Sequence, residues 1–162
     1  CGIESIDEAM RTVDTVGKSV LTLSAAEIAR AVEQLSAHQT FHRQTGAVHA
    51  AGFFDPQKGV VVAREDVGRH NALDKLAGAL AKSEVDGTVG AIVVTSRVSV
   101  EMVQKTAAIG ASFIIAVSAP TALAIRTAEE AGMTLVALVR GAEFDVFTHP
   151  ERVTFEGSRH VA

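Results

Sequence analysis

The densest polar segment of the chain is the block at positions 64–71, which reads Arg-Glu-Asp-Val-Gly-Arg-His-Asn. Arg69, His70 and Asn71 supply a bidentate donor, a titratable ring and an amide within three residues. Gly68, just before them, allows an unusual backbone conformation. The block therefore predicts either a ligand-binding loop or a solvated loop held by salt bridges, and the residues alone leave both open.

Cys1 is the single cysteine of the chain and its one candidate thiol nucleophile. A thiolate can attack an electrophile and can carry sulfur. Its position at the chain end, beside Gly2, predicts that the thiol is accessible. One cysteine excludes an intrachain disulfide framework and a cysteine-rich zinc site. The missing initiator Met predicts that the chain is a fragment or a processed product.

The composition argues against two classes of protein. The 162 residues carry a net charge of −4, whereas a general nucleic-acid binder usually carries a basic excess. Seven Phe are the only aromatic residues besides His, which is a poor supply for stacking bases. No apolar run reaches about 18 residues, the length of a membrane span. We therefore expect neither nucleic acid nor a membrane as a partner.

Hydrophobic patterning predicts an α/β fold. Apolar runs at 89–95, 113–117 and 135–139 alternate with helical patterns at 99–109 and 120–131, which is typical of a parallel sheet covered on both faces. Before these runs, two strands at 48–54 and 60–63 are predicted to form a hairpin, and a helix is predicted at 71–82. After them, one short strand is predicted at 143–148.

Three helix ends carry their own signals. Ser24 and Glu27 have the spacing of a capping box, which predicts a helix that begins there and ends at 37–39. Pro120 is predicted in the first turn of the helix at 120–131, where its missing N–H costs nothing. Gly132 is the predicted C-cap of that helix.

Polar residues follow each of the three apolar strands. Arg97 and Ser118 come after the first two, and Arg140 with Gly141 after the third. Ligands of open α/β sheets bind beyond the carboxyl ends of the strands, where helix N-termini also attract anions. These residues therefore predict a phosphate site, or ordinary caps and turns. His49, among small residues at 45–51, is either a core histidine or a ligand.

Five collinear segments resemble the FdhD family, the accessory sulfurtransferases of formate dehydrogenase. They are found at 45–51, 64–75, 96–105, 116–121, and 139–141 with 148–152. The resemblance covers roughly residues 1–155. It implies a cytidine-deaminase-like three-layer α/β/α architecture with a mixed sheet.

The resemblance also implies a function. The family moves sulfur from a cysteine desulfurase to the molybdenum (or tungsten) bis-molybdopterin guanine dinucleotide cofactor, which formate dehydrogenase needs for activity. The carrier is a persulfide on a Cys-x-x-Cys loop, and GDP mimics the bound end of the cofactor. The resemblance further implies a cytoplasmic homodimer that acts as a sulfurtransferase.

Site residues follow from the same resemblance. Cys1 is similar to the second cysteine of the family loop, so the first cysteine and a small N-terminal domain lie outside this sequence. The cofactor segment corresponds to Leu138, Val139, Arg140, Gly141, Ala142 and Glu143. We expect Arg140 to pair with phosphate, helped by Arg69, His70, Arg97 and Ser118. A carboxylate would repel a diphosphate, so we expect Glu143 to point away or to meet the guanine edge.

The resemblance divides the chain into three parts: 1–23, a loop segment with the end of the Cys-x-x-Cys motif; 24–155, the cofactor-binding domain; and 156–162, a C-terminal tail.

Zinc deaminases need H-x-E and a later P-C-x-x-C. Two residues after His49 stands Ala51, and no later cysteine follows, so zinc and deamination are excluded on the residues. Two alternatives remain: a cofactor-binding chaperone that carries no sulfur, and an inactive deaminase-like scaffold.

Overall fold

Three strands with almost entirely buried side chains form the centre of the structure. The structure, a computed structural model, describes residues 15–16 and 20–155. The strands are β1 (Leu23–Ser24), β2 (His49–Asp55), β3 (Gly59–Asp66), β4 (Ala91–Val94), β5 (Phe113–Ala116), β6 (Thr134–Arg140), β7 (Glu143–Val146) and β8 (Val153–Thr154). The helices are α1 (Ala25–Ala37), α2 (Thr40–Thr45), α3 (Arg69–Lys82), α4 (Val100–Ile109) and α5 (Ala122–Glu130), with 3₁₀ turns at Gly87–Val89 and Pro150–Arg152.

The main sheet has six strands in the order β3-β2-β4-β5-β6-β7. The central strands β4, β5 and β6 are parallel, while β2, β3 and β7 run antiparallel to their neighbours. A separate parallel pair joins β1 to β8. The mixed sheet predicted from the resemblance is confirmed.

Helices cover both faces of this sheet. Leu73 of α3, Met102 of α4 and Ala128 of α5 belong to one fully buried apolar cluster. Ile28 and Leu35 of α1 belong to a second cluster on the opposite face. Adjacent strand residues alternate between the two clusters, as the pleat requires. The three-layer α/β/α architecture is therefore confirmed. Among the described residues, no helix is long and apolar enough to cross a bilayer.

The capping box at the start of α1 is confirmed. Glu27 N donates to Ser24 Oγ (3.2 Å), and Ser24 N donates to the Glu27 carboxylate (2.7 Å). The two bonds satisfy backbone N–H groups that the first turn leaves free.

The polar block at 64–71 is not a loop, contrary to the sequence prediction. Residues 64–66 are the last residues of β3, where they pair with residues 49–51 of β2, and Arg69 already begins α3. The pairing with β2 extends β3 beyond its apolar part. Gly68 has φ −91° and ψ 122°, an ordinary extended conformation, so the predicted unusual backbone is wrong. A side chain there would instead meet Asn71 Nδ2 at 3.1 Å.

Pro120 lies before α5 rather than in its first turn. Thr121 is the N-cap, and its hydroxyl accepts from Ala124 N at 3.1 Å. Pro120 instead forms a parallel bridge with Val98. At the other end, Ala131 is the C-cap and Gly132 follows it with φ +70°. The short elements α2, β1 and β8 were not predicted from the sequence, because they are too short to show a hydrophobic period.

Candidate functional site

One edge of the sheet collects most of the residues singled out in the sequence. The strands β4, β5 and β6 end there, and β2 begins there because it runs antiparallel to β4. The end of β3, which pairs with His49 of β2, lies at the same edge and leads into α3. We call this side of the sheet the carboxyl edge. Arg69, Arg97 and Ser118 follow strands that end at it.

Two loops at the carboxyl edge are bonded to each other. Val98 N donates to Ala119 O (3.3 Å), and Thr121 N donates to Val98 O (3.0 Å). These bonds hold the segment after β4 beside the segment after β5. Arg97 and Ser118 therefore sit on neighbouring loops, Arg97 exposed and Ser118 half-buried.

The predicted cofactor segment forms the hairpin between β6 and β7. The register shifts between Ala137 and Arg140, and Leu138 has φ +57° within the irregularity. A non-glycine residue in this region is strained, and such strain persists only where the surroundings enforce it. Gly141, at φ +60°, lets the chain turn so that Arg140 pairs with Glu143.

The side chains of this hairpin differ in what they can reach. Val139 is 2% exposed and packs in the core beneath α1, so only its backbone can meet a ligand. Leu138 is half-buried, whereas the rest of the segment is exposed: Arg140, Gly141, Ala142 and Glu143. The Arg140 guanidinium takes part in none of the ion pairs or side-chain hydrogen bonds found among the described residues, and neither does that of Arg97.

His70 lies in a polar cluster that the sequence analysis did not predict. Its Nε2 is 3.3 Å from Ser99 Oγ and 3.3 Å from a Glu101 carboxylate oxygen. Ser99 Oγ donates to the same carboxylate at 2.7 Å. Ser99 and Glu101 stand at the start of α4, and packing of α4 against α3 unites residues about 30 positions apart.

Opposing effects set the protonation of this cluster. Burial lowers the pKa of His70, the Glu101 carboxylate opposes that change, and Arg69 and Lys105 reinforce it, so the pKa lies below its ordinary value. Burial raises the pKa of Glu101, but the Ser99 hydrogen bond and the nearby His70 outweigh burial and lower it. His70 is thus a neutral hydrogen-bonding group at pH 7, next to a carboxylate.

Arg69 supplies a guanidinium with an unused donor. Its Nε is buried and has no hydrogen-bond partner among the described residues. A buried donor without a partner costs free energy, so such a group in a native protein calls for an explanation. Burial lowers the pKa of His49, and electrostatic repulsion from Arg69 and His42 lowers it further.

A cleft of about 590 Å³ opens at the carboxyl edge on the α1 face. We call it the edge cleft. Its polar lining includes Gln39, His42, His49 and Thr95, and its apolar lining includes Val32 and Val117. A ligand role was one of the two predictions made for His49, whereas the cleft itself was not predicted from the sequence. Arg97, Ser118 and Arg140 are not among the described residues that line it.

The sequence matches the FdhD/NarQ family over residues 1–154. The chain belongs to the FdhD/NarQ family. It is 53% identical to a protein named sulfur carrier protein FdhD from Agrobacterium fabrum (strain C58) and 50% identical to one from Bordetella bronchiseptica, over 153 residues in each case.

These matches involve 94% of this chain but 56% and 55% of the relatives. The chain thus spans about half the length of the curated relatives it matches. A crystal structure from Desulfotalea psychrophila, of a protein assigned as a formate dehydrogenase accessory protein, superposes with a TM-score of 0.80 at 31% identity. That superposition covers 91% of this chain and 62% of the other. Cys1, the predicted sulfur-carrying residue, lies outside the described residues.

Proposed function

We propose that this chain provides the cofactor-binding part of a sulfur carrier for formate dehydrogenase. It would hold the molybdenum (or tungsten) bis-molybdopterin guanine dinucleotide cofactor as its substrate while a persulfide sulfur moves from a cysteine desulfurase to the metal. Two observations support the proposal: membership of a family whose curated relatives are named sulfur carriers, and the grouping of cationic residues at the carboxyl edge.

The observation that carries the nucleotide part is the exposure of two unpaired guanidinium groups at the carboxyl edge. The net charge of the chain is −4, yet Arg97 and Arg140 have no acidic partner among the described residues. A guanidinium binds two oxygens of a phosphate at once, and such a pair is stronger than a neutral hydrogen bond. Arg140 and Arg97 would hold the diphosphate, and Ser118 would donate to it.

Arg69 and His70 would contribute at the start of α3. The buried Nε of Arg69 has the free donor that an anionic oxygen needs. His70, neutral and held by Glu101, would donate or accept a hydrogen bond rather than add charge. Glu143, exposed beside Arg140, would turn away from the diphosphate or meet the amino group of guanine.

Cys1 would take the sulfur. Its thiolate attacks the outer sulfur of the desulfurase persulfide, a new S–S bond forms on Cys1, and the desulfurase thiolate leaves. The exchange consumes no oxidant or reductant. We place it in the cytoplasm, with the carrier as a homodimer and formate dehydrogenase as the recipient of the sulfurated cofactor.

Calorimetry with GDP tests the cofactor site. We expect Arg140→Ala and Arg97→Ala each to weaken GDP binding about tenfold or more, as expected for loss of a hydrogen-bonded charge. Lys58→Ala is the matched control, because it removes one exposed positive charge from the turn at the opposite edge. No GDP binding at millimolar concentration, or equal losses in all three variants, would refute the nucleotide site.

Mass spectrometry tests the sulfur step. After incubation with an active cysteine desulfurase and cysteine, we expect the peptide that contains Cys1 to gain the mass of one sulfur atom, and the gain to vanish on reduction. The Cys1→Ser variant is the control. If GDP binds but Cys1 gains no sulfur, the chain acts as a cofactor-binding chaperone.

A further inference from the structure

Ser99 is the N-cap of α4, yet its hydroxyl makes no capping bond. Ser24 and Thr121, the N-caps of α1 and α5, each accept from a backbone N–H of the first turn, which is the usual role of such a side chain. Ser99 Oγ instead donates to a Glu101 carboxylate oxygen at 2.7 Å and lies 3.3 Å from His70 Nε2. The hydroxyl is therefore directed at His70 and Glu101 rather than at the helix that it begins.

The partners of His70 determine which of its ring nitrogens carries the proton. The Glu101 carboxylate, whose pKa is lowered, is ionised at pH 7 and only accepts, and one of its oxygens lies 3.3 Å from Nε2. The Ser99 proton is already donated to that carboxylate, so Ser99 Oγ also faces Nε2 as an acceptor. Two acceptors at one nitrogen place the proton of the neutral ring on Nε2 and leave the lone pair on Nδ1.

The other ring nitrogen of His70 is unused. Nδ1 takes part in no hydrogen bond or ion pair with the part of the chain that the structure describes. It is also not one of the buried side-chain atoms without a partner, which among the described residues are Arg69 Nε and Gln104 Nε2. Nδ1 is therefore open to solvent, although the side chain as a whole is only 17% exposed. Because His70 lies in the first turn of α3, a ligand at the carboxyl edge meets a lone pair rather than an N–H.

The same distances exclude a nucleophilic role for Ser99. In a Ser-His-acid triad the hydroxyl and the carboxylate meet opposite nitrogens of the imidazole, and the hydroxyl gives its proton to the ring. Here both groups meet Nε2, and the Ser99 proton is directed to Glu101. The cluster is therefore built to orient the His70 ring, not to activate the hydroxyl.

We propose that Ser99 and Glu101 are positioning residues that hold His70 with Nε2 protonated, so that Nδ1 is a hydrogen-bond acceptor for the ligand bound at the carboxyl edge. An acceptor pairs with an N–H or O–H group and not with an unprotonated phosphate oxygen. His70 thus selects a ligand that carries such a donor near its phosphates, while Arg97 and Arg140 hold the phosphates themselves. This inference rests on the proposed function, because the cofactor named there carries both kinds of group.

Nuclear magnetic resonance of the ¹⁵N-labelled chain without ligand tests the orientation of His70. The ¹⁵N shifts of the ring distinguish the protonated nitrogen from the unprotonated one, and a hydrogen-bonded ring N–H exchanges slowly with water. At pH 7 we expect a slowly exchanging proton on Nε2 and none on Nδ1. Glu101→Leu should abolish the slow exchange and lower the pKa of His70 further, because burial lowers this pKa and the carboxylate opposes burial. Glu101→Gln should keep the Nε2 proton, since its amide oxygen still accepts.

Glu27→Leu is the matched control, because it removes a carboxylate from the first turn of α1. We expect it to leave the His70 signals unchanged, whereas a general effect of first-turn charge on folding would move them in both variants. Ser99→Ala removes the second acceptor and should also speed exchange of the Nε2 proton. A proton on Nδ1 of the unaltered chain, or His70 signals that change in neither Glu101→Leu nor Ser99→Ala, would overturn the proposal.

Calorimetry with GDP tests the acceptor role. We expect His70→Phe and Glu101→Leu each to weaken GDP binding about fivefold, as for the loss of one hydrogen bond. The double variant should lose no more than either single one, because Glu101 acts through His70 and the two effects are not independent. Glu27→Leu should bind GDP as the unaltered chain does. In the ¹⁵N spectrum GDP should shift Nδ1 and leave it unprotonated, and protonation of Nδ1 by GDP would refute the acceptor role.

These measurements separate this proposal from the proposed function. If GDP binding depends on Arg97 and Arg140 but not on His70 or Glu101, the positioning proposal is overturned while the nucleotide site stands. If GDP does not bind, the nucleotide site fails, and the ring proton of His70 in the free chain still decides whether Ser99 and Glu101 position it.

Discussion

Replacing Gln104 by Leu should make the protein more stable. The Nε2 of Gln104, in α4, is buried and has no hydrogen-bond partner among the described residues, so folding strips it of water without a compensating bond. Leu has a similar volume and no polar group to desolvate. Unsatisfied buried polar groups cost about 1–3 kcal/mol, and because Gln104 as a whole is only half-buried we take the lower end, about 1 kcal/mol.

The paired variant Gln34→Leu should have the opposite effect. The Gln34 amide oxygen accepts from Val60 N at 2.8 Å, so its removal leaves a backbone donor of β3 without its acceptor. We expect a loss of about 1 kcal/mol from the same class of interaction. Both variants change a helical Gln to Leu, so helix propensity and side-chain size are closely matched.

Thermal and urea unfolding, followed by circular dichroism at pH 7, measure both effects. For a chain of this length, about 1 kcal/mol corresponds to a shift in Tm of about 2–4 °C. We expect a rise for Gln104→Leu and a fall for Gln34→Leu, with unchanged m-values in urea. If Gln104→Leu lowers the Tm as much as Gln34→Leu does, the Gln104 amide is already satisfied in the folded protein and the cost assigned to it here is refuted.

Three further outcomes are expected. Gly78→Ala should stabilise α3 by about 0.5–1 kcal/mol, because a Cβ there meets nothing within 4 Å. Gly90→Ala should strongly destabilise the fold, because its Cβ would lie 2.4 Å from Phe54 O. Equal melting temperatures for the two variants would contradict both expectations. His49 should titrate below its ordinary pKa of 6.5 in an NMR pH series, and Arg69→Gln should move the midpoint upward, because burial and then Arg69 lower this pKa; an unmoved midpoint would rule out the proximity of Arg69. The hydrogen bond from Lys75, with bonds from Gly68 N and Asn71, lowers the pKa of Asp66 to about 2 from 3.8, so the stability it contributes is present above pH 3.8 and lost as the pH falls towards 2. Asp66→Asn should therefore be less stable than the unaltered chain at pH 6 and match it near pH 2. Urea unfolding across this pH range measures the difference in the free energy of unfolding between the two proteins. A difference that stays constant with pH would exclude a contribution from the Asp66 carboxylate.

Several elements could be predicted from the sequence because their signals are local. The Ser24–Glu27 spacing predicts the start of α1, and the apolar runs predict β4, β5 and β6, because a side chain's burial follows the period of its own segment. The collinear motifs predict the family, and the order of strands and helices predicts that Arg97 and Ser118 lie at one edge. Local signals failed where a neighbour decided: β2 extends β3 through residues 64–66, and Thr121 rather than Pro120 caps α5.

Contacts between residues that are far apart in the chain could not be predicted in this way. His70 reaches Ser99 and Glu101 because α3 packs against α4, and no spacing in the sequence encodes that contact. The edge cleft exists because the end of α1 lies over the first residue of β2 and the ends of β4 and β5, four segments that are far apart in the chain. Gln39 reads in the sequence as an ordinary surface amide, and its burial is a consequence of that assembly. Packing between elements depends on strand order and layer geometry, which hydrophobic periodicity does not specify.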